Sequence, residues 1–471
     1  MEKTISISKE TDKEVFRDTL ASVDKLGKRK WIYAQKPKGY FYKIRTYLSI
    51  LYFIIFFGLP FVYVNGRPLF MFDIPHARFV LFGKLFLPQD FFLLGLGMIA
   101  FILFIVLFTS AFGRLFCGWA CPQTNFMEMM FRKIEYWIEG DAAHQKMLDK
   151  ELWTAKKIFK KSFKHIVFLT LSFIISNFFL SYIIGMKALG EIITEPVTEH
   201  FAGFSAIVVF SGLFYGVYAF FREQVCTAVC PYGRLQSVLL DKNSMIVAYD
   251  YKRGEPRGVA KKNTVSDLGD CIDCNACVRV CPTGIDIRNG VQMECISCTA
   301  CIDACDNIMD KINKPRGLIR YASENSIATG EPLRYTSRMK FYTVLCGLVI
   351  ALWSFLITTR KDVDATIFRT PGILYQERGT DSISNLYNIK FANKTLKKID
   401  LTIKAENVDG SIEIIGKQFI DIEKEGQGSG TFFVILPKKS ITKRKTDIDI
   451  ALYEGNKKLR VITTSFLGPV E

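Results

Sequence analysis

Five stretches of the chain carry no Asp, Glu, Lys, Arg or His: Thr46 to Gly66, Phe91 to Phe112, Ile166 to Met186, Phe201 to Phe221 and Phe341 to Thr359. A bilayer core takes roughly 20 apolar residues at helical rise to cross, and uncharged runs of that length are rare in water-soluble domains. The sequence therefore predicts five membrane-spanning helices, with the two termini on opposite sides. Lys and Arg set the orientation. Residues 1–45 hold 12 and the loop from Arg114 to His165 holds 10, whereas Arg67 to Asp90 holds 3 and Lys187 to His200 holds 1. The positive-inside rule then places the N-terminus, the 114–165 loop and segment 222–340 in the cytoplasm, and everything after Arg360 outside. The formal charge of +16 follows largely from this distribution, as basic residues facing membrane lipid headgroups. No basic-aromatic recognition motif points to nucleic acid as a partner.

On this reading residues 1–45 form a polar cytoplasmic head, partly helical at most, and 46–221 a four-span membrane domain. Residues 222–340 are a cytoplasmic insert, 341–359 the fifth span and 360–471 an outer domain. Within the insert, the turn-rich stretch Tyr251 to Arg257 reads as a linker. The outer domain alternates apolar and polar residues at Lys398 to Ala405 and Asp447 to Tyr453, with turn signals at Asp409-Gly410, Gly426 to Gly430 and Glu454-Gly455-Asn456. Short strands at this spacing predict a small antiparallel β-sandwich of immunoglobulin-like type, with a barrel as the alternative. The fold class is thus a multi-domain membrane protein: an α-helical transmembrane block of five spans, an α+β bicluster ferredoxin-like insert and an all-β immunoglobulin-like C-terminal domain.

Thirteen cysteines, twelve of them in short regular clusters, follow a polar N-terminus that does not read as a signal peptide. That pattern favours metal ligation over a disulfide framework. The strongest signal is Cys271-x2-Cys274-x2-Cys277-x3-Cys281-Pro282, followed by Cys295-x2-Cys298-x2-Cys301-x3-Cys305. In two-cluster ferredoxins the three close thiolates hold one cubane and the fourth ligates the other. By that rule Cys271, Cys274, Cys277 and Cys305 hold one [4Fe-4S] cluster, and Cys295, Cys298, Cys301 and Cys281 hold the second. A structural zinc site needs only four ligands and leaves half the pattern unexplained. Asp306 stands where a proline would follow the last cysteine. Two such clusters make a one-electron relay, and no Gly-rich dinucleotide fingerprint follows a strand, so the electron donor is expected to be a separate cytoplasmic protein.

A weaker repeat joins spans two and four. The first ends in Arg114-Leu-Phe-Cys117-Gly-Trp-Ala-Cys121-Pro122 and the second in Arg222-Glu-Gln-Val-Cys226-Thr-Ala-Val-Cys230-Pro231. Both emerge at the same predicted face, so four thiols can converge. At i and i+4 on a helix each pair shares a face, which suits a soft ion such as Cu(I), and the proline then releases the chain from helix geometry. The competing readings are small packing residues at a membrane interface, or a disulfide disfavoured by a reducing cytoplasm. Arg114, Arg222 and Arg234 beside these cysteines either favour thiolate or anchor the helix ends at headgroups. Met127, Met129 and Met130 offer thioethers but are better suited to apolar packing. Of the four histidines, His76 and His200 fall outside and His144 and His165 inside, as surface or interface residues, and Cys346 in span five reads as a small buried residue.

These segments together resemble the CcoG/FixG/RdxA family of cytochrome c oxidase accessory proteins. The matching residues are Phe72-Asp73-Ile-Pro, Pro88-Gln89-Asp90-Phe91, Cys117-Gly118-Trp119-Ala120-Cys121-Pro122-Gln123-Thr124 and Arg222-Glu-Gln-Val-Cys226-x3-Cys230-Pro231-Tyr232. They continue through Tyr249-Asp250, Arg253-Gly-Glu-Pro-Arg-Gly258, the ferredoxin block and Pro315-Arg316-Gly317-Leu318-Ile319-Arg320-Tyr321, in order along nearly the whole chain. The resemblance implies a bacterial inner-membrane iron-sulfur protein needed to assemble cbb3-type cytochrome oxidase, acting as a cupric reductase that supplies Cu(I). Its expected partners are the electron donor, a copper chaperone or transporter, and oxidase subunits. Copper is then reduced at Cys117, Cys121, Cys226 and Cys230, the expected catalytic residues. Two other readings stand beside it. One is a quinol-linked electron-transfer subunit, like the nitrate and nitrous-oxide respiratory accessory proteins of NapH/NosR type. The other is a non-enzymatic assembly scaffold whose working part is the outer β domain.

Overall fold

The computed structural model describes residues 21–23, 26, 28–74, 77–258, 268–360, 363–372, 374–416, 420–422, 424, 426–441 and 443–469. Most of the predicted N-terminal head, and His76, lie outside the described residues. Five helices are long and apolar enough to cross a membrane: Tyr40–Phe61, Phe91–Phe112, Ala155–Ile184, Phe201–Phe221 and Ser337–Thr358. The α-helical parts of these are α1 (Tyr40–Gly58), α2 (Phe91–Phe112), α5 (Ala155–Ile184), α6 (Phe201–Gly216) and α10 (Ser337–Thr358). Between α1 and α2 lie strands β1 (Phe70–Asp73), β2 (Arg78–Leu81) and β3 (Lys84–Phe86), and between α2 and α5 lie α3 (Leu115–Trp119) and α4 (Arg132–Ile138).

Spans two and four have the predicted limits, but the first, third and fifth differ, the fifth running from Ser337 to Thr358. Helix α1 begins six residues before the uncharged run, because the Asp303 carboxylate accepts the backbone N–H groups of Phe41 (3.1 Å) and Tyr42 (2.8 Å) and so caps it. Lys43 and Arg45, expected as flanking charges, therefore lie inside the helix. Helix α5 likewise extends back to Thr154, whose hydroxyl accepts from Lys157 N–H. Absence of charge marks the lipid-compatible length; capping marks where the helix starts.

The structure divides into two compact units, residues 1–71 with 96–351 and residues 72–95 with 352–471. In the first, span four leads to α7 (Pro231–Leu239) and strand β4 (Ile246–Tyr249), which pairs antiparallel with β5 (Ile319–Ala322), Ile246 opposite Ala322. Helices α8 (Ala276–Arg279) and α9 (Ala300–Lys311) lie between these strands in sequence. The stretch from Tyr251 is not the linker that its composition suggests. Tyr251–Gly254 is a helical turn capped by Asp250, which also pairs with Arg320 at 2.7 Å, while Arg253 pairs with Asp270. The turn residues build a packed corner.

The second unit contains the predicted sandwich. Its strands are β6 (Val363–Arg369), β7 (Gln376–Arg378), β8 (Ser382–Asn393), β9 (Ile399–Ala405), β10 (Ser411–Ile414), β11 (Ile420–Ile422), β12 (Gln427–Pro437), β13 (Lys445–Glu454) and β14 (Lys457–Leu467). One sheet runs β10-β12-β8-β6 with β7 also on β8, and the other runs β11-β9-β13-β14. Alternate residues of both sheets, among them Tyr387, Ile389, Leu401, Phe432, Val434, Ile450 and Phe466, form a single apolar core. Asp90, quoted above only as part of a motif, is buried in this unit and pairs with Arg360 and Lys394, each at 2.7 Å.

Candidate iron-sulfur and thiol centres

The insert's two halves repeat in backbone as well as in sequence. In Cys271-Ile-Asp-Cys-Asn-Ala-Cys277 the residues flanking the middle cysteine have positive φ, Asp273 at 52° and Asn275 at 56°. In Cys295-Ile-Ser-Cys-Thr-Ala-Cys301 they are Ser297 at 52° and Thr299 at 63°. Left-handed residues on either side of a cysteine turn successive N–H groups inward, a concavity suited to anionic sulfur. The third cysteine of each half then sits in the first turn of α8 or α9. The halves diverge afterwards. Helix α8 stops before Pro282, whereas Asp306 lets α9 run on to Lys311, its carboxylate accepting Gly317 N–H at 2.9 Å.

The eight cysteines surround two cavities. Cys271, Cys274, Cys277 and Cys305 line one with Tyr249 and Arg288; Cys281, Cys295, Cys298 and Cys301 line the other with Thr283 and Ile285. Cys277 borders both. Burial pushes the thiols of Cys277 and Cys295 up to about 11 and those of Cys298 and Cys305 up to about 12. Backbone N–H groups at Thr283, Gly284 and Ile285 favour the Cys281 thiolate, as those of Ser297 and Ala300 favour Cys295 and Cys298. Thiols held protonated by burial are released only to a metal that outcompetes protons. Among the described residues no three His, Cys, Asp or Glu side chains are grouped to hold a single ion. Four soft donors spread around each cavity, with inward N–H groups, fit a [4Fe-4S] cluster in each.

The two Cys-x3-Cys-Pro motifs also share one geometry, but not the i, i+4 helix face expected from spacing. The Cys121 N–H reaches back five residues to Phe116 O at 2.9 Å, and Cys230 N–H to Val225 O at 2.7 Å. Both second cysteines are extended, with ψ of 128° and 111°, and both prolines open the next helix. A residue before proline is driven out of the α region, so the motif ends in a wide turn that swings the second thiol off the helix. Glycine permits the close packing that follows. A Cβ on Gly233 would stand 2.7 Å from Cys226 O, and one on Gly118 2.5 Å from Ile296 O.

These turns bring the four thiols within electrostatic reach of one another, although no three of them are grouped to hold a single ion. Burial raises Cys117 and Cys226 to about 12; the charges of Cys121 and Cys230 add to both, and that of Cys117 to Cys226. Arg114 pulls Cys117 the other way without overcoming burial. The expectation that neighbouring arginines make these cysteines thiolate therefore fails: Arg222 instead pairs with Glu135 at 2.7 Å, and Arg234 is exposed. The Cys117 thiol donates to Gln236 Oε1 at 3.0 Å, while the amide nitrogen of this fully buried Gln236 has no hydrogen-bond partner. A stranded donor on the residue bonded to the Cys117 sulfur suits an anionic thiolate or a thiolate-bound metal. Met127 and Met130 pack among Phe126, Phe131 and Tyr218, and His165 bonds Tyr215 at 2.9 Å. Cys346 is buried in α10.

Cys117 belongs to the same apolar cluster as Ile296, Cys298 and Cys301, so the first motif touches the loop of the second cavity. Trp119 Nε1 donates to Tyr321 Oη at 3.0 Å, and Phe41 meets both rings edge-on. Arg45 donates to Cys298 O at 3.0 Å, and Arg114 to the carbonyls of Met293, Gly233 and, at 3.3 Å, Cys295. Sequence reasoning missed Arg45 and Gln236. Arg45 looked like one more flanking charge, and nothing in spacing singles out a glutamine six residues after the second motif's last cysteine.

A 4Fe-4S dicluster domain matches residues 221–324, a 4Fe-4S binding domain matches 94–140, and the Ig-like fold at the C-terminus of FixG matches 353–469. Protein RdxA of Cereibacter sphaeroides is 38% identical over 332 residues, 68% of this chain and 69% of its own length. Protein RdxB of the same organism is 33% identical over 78% of this chain and 80% of its own. The chain belongs to the FixG/RdxA family. Nitrogen fixation protein FixG of Rhizobium meliloti is 37% identical over 65% of this chain, which spans 60% of that relative. As a FixG-family member it is a multi-pass membrane iron-sulfur protein of the oxidoreductase class, with an Ig-like C-terminal domain.

Proposed function

We propose that the protein is a cupric reductase supporting assembly of cbb3-type cytochrome oxidase, with Cu(II) as substrate at Cys117, Cys121, Cys226 and Cys230. The observation that carries it is the contact between Cys117 and the loop of Cys295 to Cys301. Of the four thiols, Cys117 thus packs against the loop of one cluster cavity, and Cys277 adjoins both cavities. When bound, the clusters supply one-electron transfer; the chain's residues fix their order and exclude water from the cysteines. Thiolate sulfur prefers Cu(I) to Cu(II), so a site of four thiols favours the reduced ion. In this reading the N-terminus and insert face the cytoplasm, where a protein donor supplies electrons, and the sandwich lies outside. A copper chaperone or transporter and oxidase subunits are the further partners.

The test is anaerobic: dithionite-reduced, desalted protein is mixed with Cu(II) and a Cu(I) chelator while the cluster absorbance is followed. Stoichiometric Cu(I) with matching cluster reoxidation is expected, and clusters that stay reduced would overturn the reading. Iron analysis separates an alternative that the match over 94–140 supports, in which the four thiols hold a further cluster. Two clusters account for about eight irons and three for about twelve.

A quinol-linked role is favoured by one feature, an apolar cleft of about 550 Å³ lined by Phe101, Phe104, Phe108, Phe116, Trp119 and Tyr232 beside the first motif. Cluster reduction by a quinol analogue in purified protein would support that role.

A further inference from the structure

Two cationic side chains are buried against the loop of Cys295 to Cys301 without a carboxylate. Arg45 is 5% exposed, donates to Cys298 O, and has no hydrogen-bond partner at Nε or Nη2. Arg114 is 6% exposed, donates only to carbonyls, Cys295 O among them, and has no partner at Nε. Among the described residues neither forms an ion pair. Of the acids nearby, Asp303 caps α1 and Glu294 accepts Ala21 N–H at 3.3 Å.

The other cavity has the opposite balance. Of the cations beside it, Arg288 is neutralised by Asp286 at 2.6 Å and by Asp273, while Arg279, which donates to Cys274 O at 2.8 Å, is exposed to solvent, and Asp306 adjoins Cys305. Burying an unpaired guanidinium is costly, so two of them beside one cavity call for a partner of negative charge. A thiolate-ligated cluster is anionic and gains a further negative charge on reduction, which nearby positive charge stabilises.

We propose that Arg45 and Arg114 raise the reduction potential of the cluster held by Cys281, Cys295, Cys298 and Cys301 above that of the cluster held by Cys271, Cys274, Cys277 and Cys305. Electrons delivered to the pair then collect on the cluster beside Cys117. The pair is asymmetric by charge although its loops are symmetric by backbone. Arg45 reaches the site from a transmembrane helix, so the insert's potentials are set partly from the membrane block. This inference depends on the two clusters and not on copper.

The test is an EPR-monitored redox titration of the full chain with dithionite, read as midpoint potentials and not as turnover. Arg45→Met and Arg114→Met should each lower the potential of the higher-potential cluster and leave the other unmoved, while Arg45→Lys should stay near wild type. Unchanged potentials in a Met variant that retains its full iron content would overturn the proposal. Should the Met variants lose iron, the wild type decides. At a poise that reduces one cluster per chain, the signal must be one altered by Cys298→Ser and not by Cys274→Ser; the converse assignment would sink the idea.

Discussion

Glu135 shows how a single residue is held by its surroundings. It is buried, and burial alone would raise its carboxyl, but Arg222, Lys164 and Arg132 together pull it down to about 2. The same group extends through Lys164 to Glu139 at 2.8 Å and on to Lys161 at 3.0 Å. A carboxylate whose folded pKa lies below its ordinary value stabilises the fold fully above about 4.5 and loses that contribution as pH falls toward 2. Glu135→Ala leaves Arg222 buried without its partner, while Lys164 keeps Glu139, and should cost about 3–5 kcal/mol. Denaturant melts at neutral pH should show that gap, and melts at falling pH should show it closing. A gap that persists at pH 2 would mean that lost packing, not charge, is the cause.

At the scale of elements, the close approach of α3 to the Ile296-Ser297 turn joins membrane block to insert, and Gly118 makes it. An added Cβ would stand 2.5 Å from Ile296 O and 2.8 Å from Ser297 O, both backbone atoms that cannot rotate away. Gly118→Ala should therefore push the first motif off the loop while leaving both sets of cluster cysteines in place. Iron content should be unchanged, and Cu(II)-driven cluster reoxidation should slow by up to about 100-fold, the scale of a ~1 Å misplacement. Stopped-flow absorbance measures it, and an unchanged rate would exclude this contact from the electron path. Much of this arrangement was legible in the sequence, because cysteine spacing and uncharged runs are local signals. The eight cysteines line two cavities, with Cys277 on both. What spacing misread was the shape of the Cys-x3-Cys-Pro turn, where the proline's steric demand on the preceding cysteine outweighs helix periodicity. Arg45 was illegible for another reason: a juxtamembrane arginine has an adequate explanation in lipid headgroups, and only the fold reveals its contact with Cys298.

Over the whole molecule, the insert and the sandwich are stabilised by different means. The sandwich core is entirely aliphatic and aromatic, built from both sheets and free of cysteine. The insert's core is not: Cys271 and Cys277 are members of it, and Cys281, Cys295, Cys301 and Cys305 pack against it. With so few apolar side chains of its own, the insert draws folding free energy from whatever its cysteines hold. Anaerobic iron chelation of the full chain should then expose residues 268–318 to protease while 363–469 stays resistant, and the sandwich's thermal transition should not move. Equal protection before and after chelation would show that apolar packing alone holds the insert. Equal loss in both regions would mean that the sandwich depends on the clusters as well, which its separate core argues against. The FixG-type chain thus joins a part whose stability tracks its redox cofactors to a part indifferent to them. Loss of iron would silence electron transfer and leave the Ig-like domain folded.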